Sequence, residues 1–379
     1  MEGVILGRSA TRAVAVPATT APLSTAPLSA ARAPERNLGL DTARVGAALG
    51  TVWIHSVQSS EMAPWGEVGR FAVPFFSVTA AILLVEALHA NPDRSFVSYV
   101  SRRAKRLYVP FALWTVVYLA ARSLKHAVFH SGEPIVFYPS ILLNGSAHHL
   151  WFLPALTLWT IACFPLVKWI LRRPGFAKPA AAGLLVVAAV WARWYSPPTV
   201  VEPGMVGLAT WRSAYDALNA LDPGLPYFAD QNLRRFPCFL AGIAIAILFG
   251  PLQRLRDGIQ TTSAWSGVFC TAACMLEVAA IGRNSLLAMI AGIGWTIAAY
   301  GRWSPAWVVR VVGPLGRLSF GVYLVHVLLC EGIQAVGKRA GVPNTWWFDL
   351  VIFALSAIGS VVLAWALRRF AATRWMVPG

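Results

Sequence analysis

The chain is 379 residues long, 57% hydrophobic and only 13% charged, against about 25% charged residues in a soluble domain. Its apolar residues fall in runs of about 17 to 23, the length of a bilayer-crossing helix, so the soluble classes are set aside and an all-α polytopic membrane protein is expected. The formal charge of +16 then belongs to orienting loops rather than to a nucleic-acid-binding face.

Residues 1–37 are rich in Ala, Pro, Thr, Ser and Arg. They hold no continuous apolar stretch of the kind a secretory signal needs, and a flexible cytoplasmic tail is the expectation. An Arg-rich, acid-poor start also resembles a transit peptide. The first predicted span, 40–58, opens with LDTARVGAALGTVWIHS, apolar but for Asp41, Arg44 and His55. Arg44 and His55 are eleven positions apart, three turns plus about 20°, so a helix puts both on one face, about 16 Å apart along its axis. Asp41 reads as the N-cap. A lone arginine here can be a snorkelling anchor and a lone histidine a satisfied core residue. Two ionisable groups on one face of a span point instead to an interior cavity or site.

The second span, 69–88, ends near Glu86, a candidate partner for a nearby arginine. The basic run Arg102, Arg103, Lys105 and Arg106 follows, then the third span at 107–124. His148 and His149 precede the fourth span, 150–171, beside Trp151; both read as substrate contacts or, more plainly, as interfacial residues. The fifth span covers 179–195. A Pro- and Gly-rich loop at 196–233 carries Trp211, Tyr215, Tyr227 and Phe228. It is too long for a bare connector, and reads equally as a lid or substrate-binding loop and as a tolerated surface loop.

The sixth to tenth spans lie near 235–250, 264–281, 284–300, 318–337 and 348–367, with a C-terminal tail at 371–379. Glu277 is a carboxylate within the seventh span, readable as protonated core, as an ion partner of Arg283 or as part of a polar cavity. His326 lies inside the ninth, where packing or hydrogen bonding is expected. The five cysteines, Cys163, Cys238, Cys270, Cys274 and Cys330, all sit in apolar runs and read as core. Cys270 and Cys274 are one turn apart, but no His or carboxylate completes a metal site with them. No disulfide framework and no internal repeat are visible, and the lack of paired broken helices argues against a secondary transporter.

Loop charge predicts orientation. The run at 102–106, then Arg172, Arg173 and Lys178, Arg254 and Arg256, Arg302, Arg310 and Arg317, and Arg368, Arg369 and Arg374 all fall on the side of the N-terminus. The opposite side carries Glu61 and Glu67, and Glu202, Asp216, Asp222 and Asp230 against Arg212. Lys338 and Arg339 run against the trend. The reading is about ten transmembrane helices, N-in and C-in, in a bacterial inner membrane.

Leu-Asp-x-x-Arg, followed by a histidine after ten intervening residues, resembles the opening helix of the acyltransferase-3 family of integral membrane acyltransferases. Further segments fit in order. Residues 101–111, SRRAKRLYVPF, are similar to its basic R-x-x-R stretch, with Arg103 and Arg106 as the pair. HLWFLPAL at 149–156, RRFPCFLAG at 234–242 and GRLSFGVYLVH at 316–326 resemble later segments of the family. The resemblance covers about 38–370. The chain departs in having Trp-Phe-Leu-Pro where many members have an acidic Trp-Ser-Leu-x-x-Glu-Glu, so no acidic residue there takes a role. A soluble esterase-like domain of the kind fused to some members is not expected here.

The resemblance implies transfer of an acetyl or other short acyl group from cytoplasmic acyl-CoA to a hydroxyl of a cell-surface, exported or lipid-linked saccharide. Arg103 and Arg106 would clamp the donor's phosphates, although positive-inside topology alone also explains them. His55 would act as base or nucleophile. Arg44 would stabilise the oxyanion, or hold the donor while His55 handles the acyl group deeper in. Trp151, His149 and Arg235 are the candidate substrate contacts. No metal is called for. Expected partners are acyl-CoA, the saccharide and membrane lipids. The alternative is a transporter or flippase of a lipid-linked saccharide.

Overall fold

The computed structural model describes residues 37–129, 137–195, 206–250, 261–281, 284–301 and 306–378. Glu202, Arg254, Arg256, Arg283 and Arg302, and the side chains of Trp211 and Arg212, lie outside the described residues, as does the predicted tail before Asn37. The described residues are helical, without a strand.

A helix stands at each predicted span: α1 (Leu38–Ser56), α2 (Ala72–Ala90), α3 (Phe96–Phe129), α4 (Phe152–Leu171), α5 (Pro174–Trp194), α6 (Gly224–Phe249), α7 (Thr261–Ile281), α8 (Ser285–Tyr300), α9 (Ser319–Arg339) and α10 (Trp346–Arg369). Among the described residues, eight helices are long and apolar enough to cross a membrane. The other two are α1, whose apolar run is broken by Asp41 and Arg44, and α8, which has sixteen residues.

Three boundaries differ from the sequence reading. The N-cap of α1 is Asn37, whose side chain accepts from Leu40 N at 3.0 Å; Asp41 lies in the first turn and turns inward. α6 begins at 224, not 235, and takes in Tyr227, Phe228 and Asp230, while another helix covers Val206–Leu221. Much of the predicted outer loop is therefore helical. The C-terminal segment is no free tail: Trp114 Nε1 donates to the Met376 carbonyl at 3.1 Å, and Val377 is fully buried.

α1 is central, packing against α2, α8, α9 and α10. Its small buried residues, Ala43, Ala47, Ala48 and Thr51, let neighbours approach closely, as membrane helices require. Gly46 lies under the Trp295 ring, and Trp295 Nε1 donates to the Ala43 carbonyl at 3.0 Å. At the N-terminal end of α1, Gly39 faces the Ala299 carbonyl near the end of α8, and Gly316 packs on Asp41. At its other end Gln334, late in α9, donates to the His55 carbonyl. Asp349, in the first turn of α10, accepts from the backbone N–H groups of Gln58 and Ser59. So α9 runs along α1, and α8 and α10 run against it.

Candidate active site

The C-terminal end of α1 carries a histidine cluster. His55 Nδ1 and His148 Nε2 lie 2.9 Å apart. The His55 ring centre is 5.2 Å from that of His326 and 6.4 Å from that of His149, and the His149 and His326 rings are 5.0 Å apart. Four imidazoles from α1, α9 and the segment before α4 thus share one locality. Among the described residues, no group of three or more His, Cys, Asp or Glu is arranged to hold a metal ion.

Backbone contacts orient the rings. His326 Nδ1 lies 2.8 Å from the Tyr323 carbonyl and 3.1 Å from that of Val322, so Nδ1 carries the proton, and in the neutral ring Nε2 is a bare acceptor. That Nε2 is buried without a hydrogen-bond partner, as are both nitrogens of His149. Burial, aided by the neighbouring His326, His148 and His55, pushes the His149 imidazole well below its ordinary range, which keeps it neutral. The Tyr323 hydroxyl donates to the His149 carbonyl, Tyr227 on α6 donates to the His148 carbonyl at 2.8 Å, and the Tyr118 ring stands edge-on to His149. His148 is exposed, whereas His149 and His326 are buried, so the cluster runs from the surface of the bundle inward.

The N-terminal end of α1 carries the guanidinium groups. Arg44 donates to the buried Asp41 carboxylate at 3.2 Å, and its charge also acts on Arg106 and on Tyr300. Tyr300 is buried with its hydroxyl unpartnered and lies near Glu86. Arg103 interacts with Tyr99 and Arg106, and its buried Nε has no hydrogen-bond partner. Three arginines from α1 and α3 therefore lie within electrostatic reach of one another. Gly316 closes the locality by packing its backbone on Asp41.

Arg44 and His55 do not meet. Each is engaged at its own end of α1, Arg44 with Asp41 and His55 with His148, so Arg44 as an oxyanion stabiliser beside His55 does not fit. Arg235 on α6 lies nearer the histidine end, in the field of Arg70, Arg234 and Asp230, and its buried Nε is unpartnered. Arg70 is paired with Glu67, and Arg234 with Asp230 at 2.8 Å. Trp151 is buried against Phe152 and does not present an exposed face to a substrate. The partners that sequence reasoning missed are His148 and His326. Both stand in or beside segments already singled out, but their meeting with His55 is purely tertiary.

Outside these localities, Cys163, Cys238 and Cys330 are buried as expected, while Cys270 and Cys274 are half-buried. Glu277 is exposed on the perimeter of α7, neither core nor lining an interior cavity.

A family model described as "Acyltransferase domain" matches residues 37–365. The chain is also 27% identical over 181 residues to a serine/alanine racemase of Enterococcus gallinarum, covering 44% of this chain and 25% of the relative. To an amino-acid racemase of Enterococcus faecalis it is 26% identical over 149 residues, 38% of this chain and 21% of the relative. The chain thus spans about a quarter or less of each. No solved structure matches it.

Proposed function

Because the chain belongs to the acyltransferase-3 family, and is thus a membrane acyltransferase, we propose that it moves an acetyl or other short acyl group from cytoplasmic acyl-CoA to a hydroxyl of a cell-surface, exported or lipid-linked saccharide. The carrying observation is the division of α1. Arg44, with Arg103 and Arg106, stands at one end, and His55, with His148, at the other, about 16 Å away. Acyl-CoA has the same plan: a polyanionic nucleotide joined to its thioester by a long, thin arm. Arginine forks suit the phosphates, and the arm would bring the acyl carbon towards the imidazoles.

The reading carries an orientation. The arginine end faces the cytoplasm of a bacterium, with both termini on that side of its inner membrane, and the histidine end faces the acceptor. With the shared proton on His55 Nδ1, directed to His148 Nε2, the Nε2 of His55 carries a lone pair. It takes the proton of the acceptor hydroxyl as that oxygen attacks the thioester carbonyl. Collapse of the tetrahedral species forms the ester and expels the thiolate of coenzyme A, which recovers the proton. His326 Nε2 and His149 add polar surface beside the reacting carbon. Arg235 would meet the acceptor.

The test is transfer from labelled acetyl-CoA into saccharide by purified protein in proteoliposomes. Loss of transfer in both His55→Ala and Arg44→Ala supports the reading. Full transfer in both variants would sink it.

A further inference from the structure

A further group of cations stands at the ends of α3 and α4 that share the arginine side of the bundle. A cavity of about 510 Å³ there is lined by Phe96, Phe164 and Trp169 and by Lys168, Arg172 and Arg173. The cations are only lightly engaged. Lys168 donates to the Arg94 carbonyl at 3.1 Å, leaving two of its protons free. Arg172 stands 3.7 Å from Asp93, a pair in which Asp93 is 95% exposed, so it contributes little. Arg173 lies over the Trp169 ring at 4.2 Å and makes one long hydrogen bond, at 3.4 Å, to the Trp169 carbonyl. Behind Lys168, Arg94 has a buried Nε without a partner.

The apolar surroundings choose among anions. From the cavity, exposed Trp169, Leu166, Ala162 and Leu158 follow one another at spacings of three and four residues, a single outward stripe on α4 leading towards the middle of the helix. A soluble nucleotide or phosphate has nothing to lay on that stripe. A phospholipid does: its acyl chains along the stripe, its headgroup phosphate among the three cations. Basic pockets between membrane helices bind anionic headgroups in this way.

We propose that this cavity binds one anionic phospholipid of the leaflet on the arginine side, the cytoplasmic leaflet in the orientation given above. The site is independent of the acyl-transfer chemistry. Tyr99, which packs on Phe164 with ring centres 5.3 Å apart and interacts with Arg103, separates the headgroup position from the arginine cluster.

The experiment is native mass spectrometry of the protein in an uncharged detergent, titrated with dioleoylphosphatidylglycerol or dioleoylphosphatidylcholine. The expected result is preferential retention of one phosphatidylglycerol. At the usual worth of a cation beside an anionic lipid, K168Q/R172Q/R173Q weakens it by roughly a hundredfold and R172Q alone by about fivefold. R172Q alters one exposed side chain, so it stays informative if the triple variant fails to fold. Equal retention of the two lipids, or equal affinity of wild type and R172Q, overturns the proposal. Displacement of the lipid by millimolar glycerol 3-phosphate overturns it in favour of a soluble-anion site. Displacement by acetyl-CoA overturns it by assigning the cavity to the donor.

Discussion

His148 Nε2 stands 2.9 Å from His55 Nδ1, across 93 positions of sequence, and couples a half-buried imidazole to one at the surface. If His55 is the base and His148 fixes its tautomer, the two act as a unit. His55→Ala is expected to lower kcat by about 10²- to 10⁴-fold, the usual worth of a general base. His148→Ala should cost less, on the order of tenfold, and the double variant should be no worse than His55→Ala alone, as for residues that act together. His148→Gln, which can still accept the His55 N–H, should recover part of the loss. Transfer rates at saturating acetyl-CoA check this; additive losses would show that the two rings act separately.

The arginine end should answer through a different constant. Removing a charge-assisted contact to a phosphate, by Arg103→Gln or Arg106→Gln, is expected to raise KM for acetyl-CoA by about ten- to a hundredfold with kcat little changed. Arg106→Lys should recover only part of the affinity, since an ammonium lacks the planar fork. Initial rates over a range of donor concentrations decide. A fall in kcat at unchanged KM would remove the arginines from donor binding.

Eight of the helices were legible because they are apolar runs long enough to cross a membrane, and the shared face of Arg44 and His55 followed from helical period alone. The start of α6 was hidden. Residues 224–234, GLPYFADQNLR, carry a proline and several polar groups that break the apolar signal, yet this turn-rich stretch is helical because its polar side chains have partners: Asp230 holds Arg234, and Asn232 accepts from Trp159 Nε1 at 2.7 Å. The histidine cluster was legible only in pieces. His148, His149 and His326 each stood near a recognisable segment, but nothing local to residue 55 encodes a partner 271 positions away.

Asp222 clamps the histidine end from outside the spans. Its carboxylate accepts from the Ser140 N–H at 2.6 Å, from Ser140 Oγ at 2.7 Å and from the Gly224 N–H at 2.8 Å. Burial alone would raise its pKa, but these hydrogen bonds outweigh it and hold the carboxyl below its ordinary value. A depressed folded-state pKa gives stability that is complete above the unfolded value, about 4, and is lost as pH falls through the folded one. Asp222→Asn should cost about 1.5–3 kcal/mol near neutral pH, the worth of hydrogen bonds to a buried charge. Its deficit against wild type should shrink as pH drops below about 4. Thermal unfolding of both proteins across that range is the measurement, and a deficit that stays constant would mean the charge is irrelevant.

Two glycines separate close helix packing from mere composition. A Cβ on Gly242 of α6 would come within 2.6 Å of the Val78 carbonyl oxygen and 2.8 Å of the Ala81 Cβ on α2. Backbone cannot yield there as a flexible side chain could, so Gly242→Ala must push α2 and α6 apart, at about 1–3 kcal/mol for overpacking. Gly183 on α5 has nothing within 4 Å of its notional Cβ, so Gly183→Ala should be neutral or gain about 0.5–1 kcal/mol from helix propensity. Because α6 also carries Tyr227 and Arg235, Gly242→Ala should lower acyl transfer along with the unfolding temperature, whereas Gly183→Ala leaves transfer intact. The same substitution moving both proteins equally would show that contact with α2 does not set the place of α6.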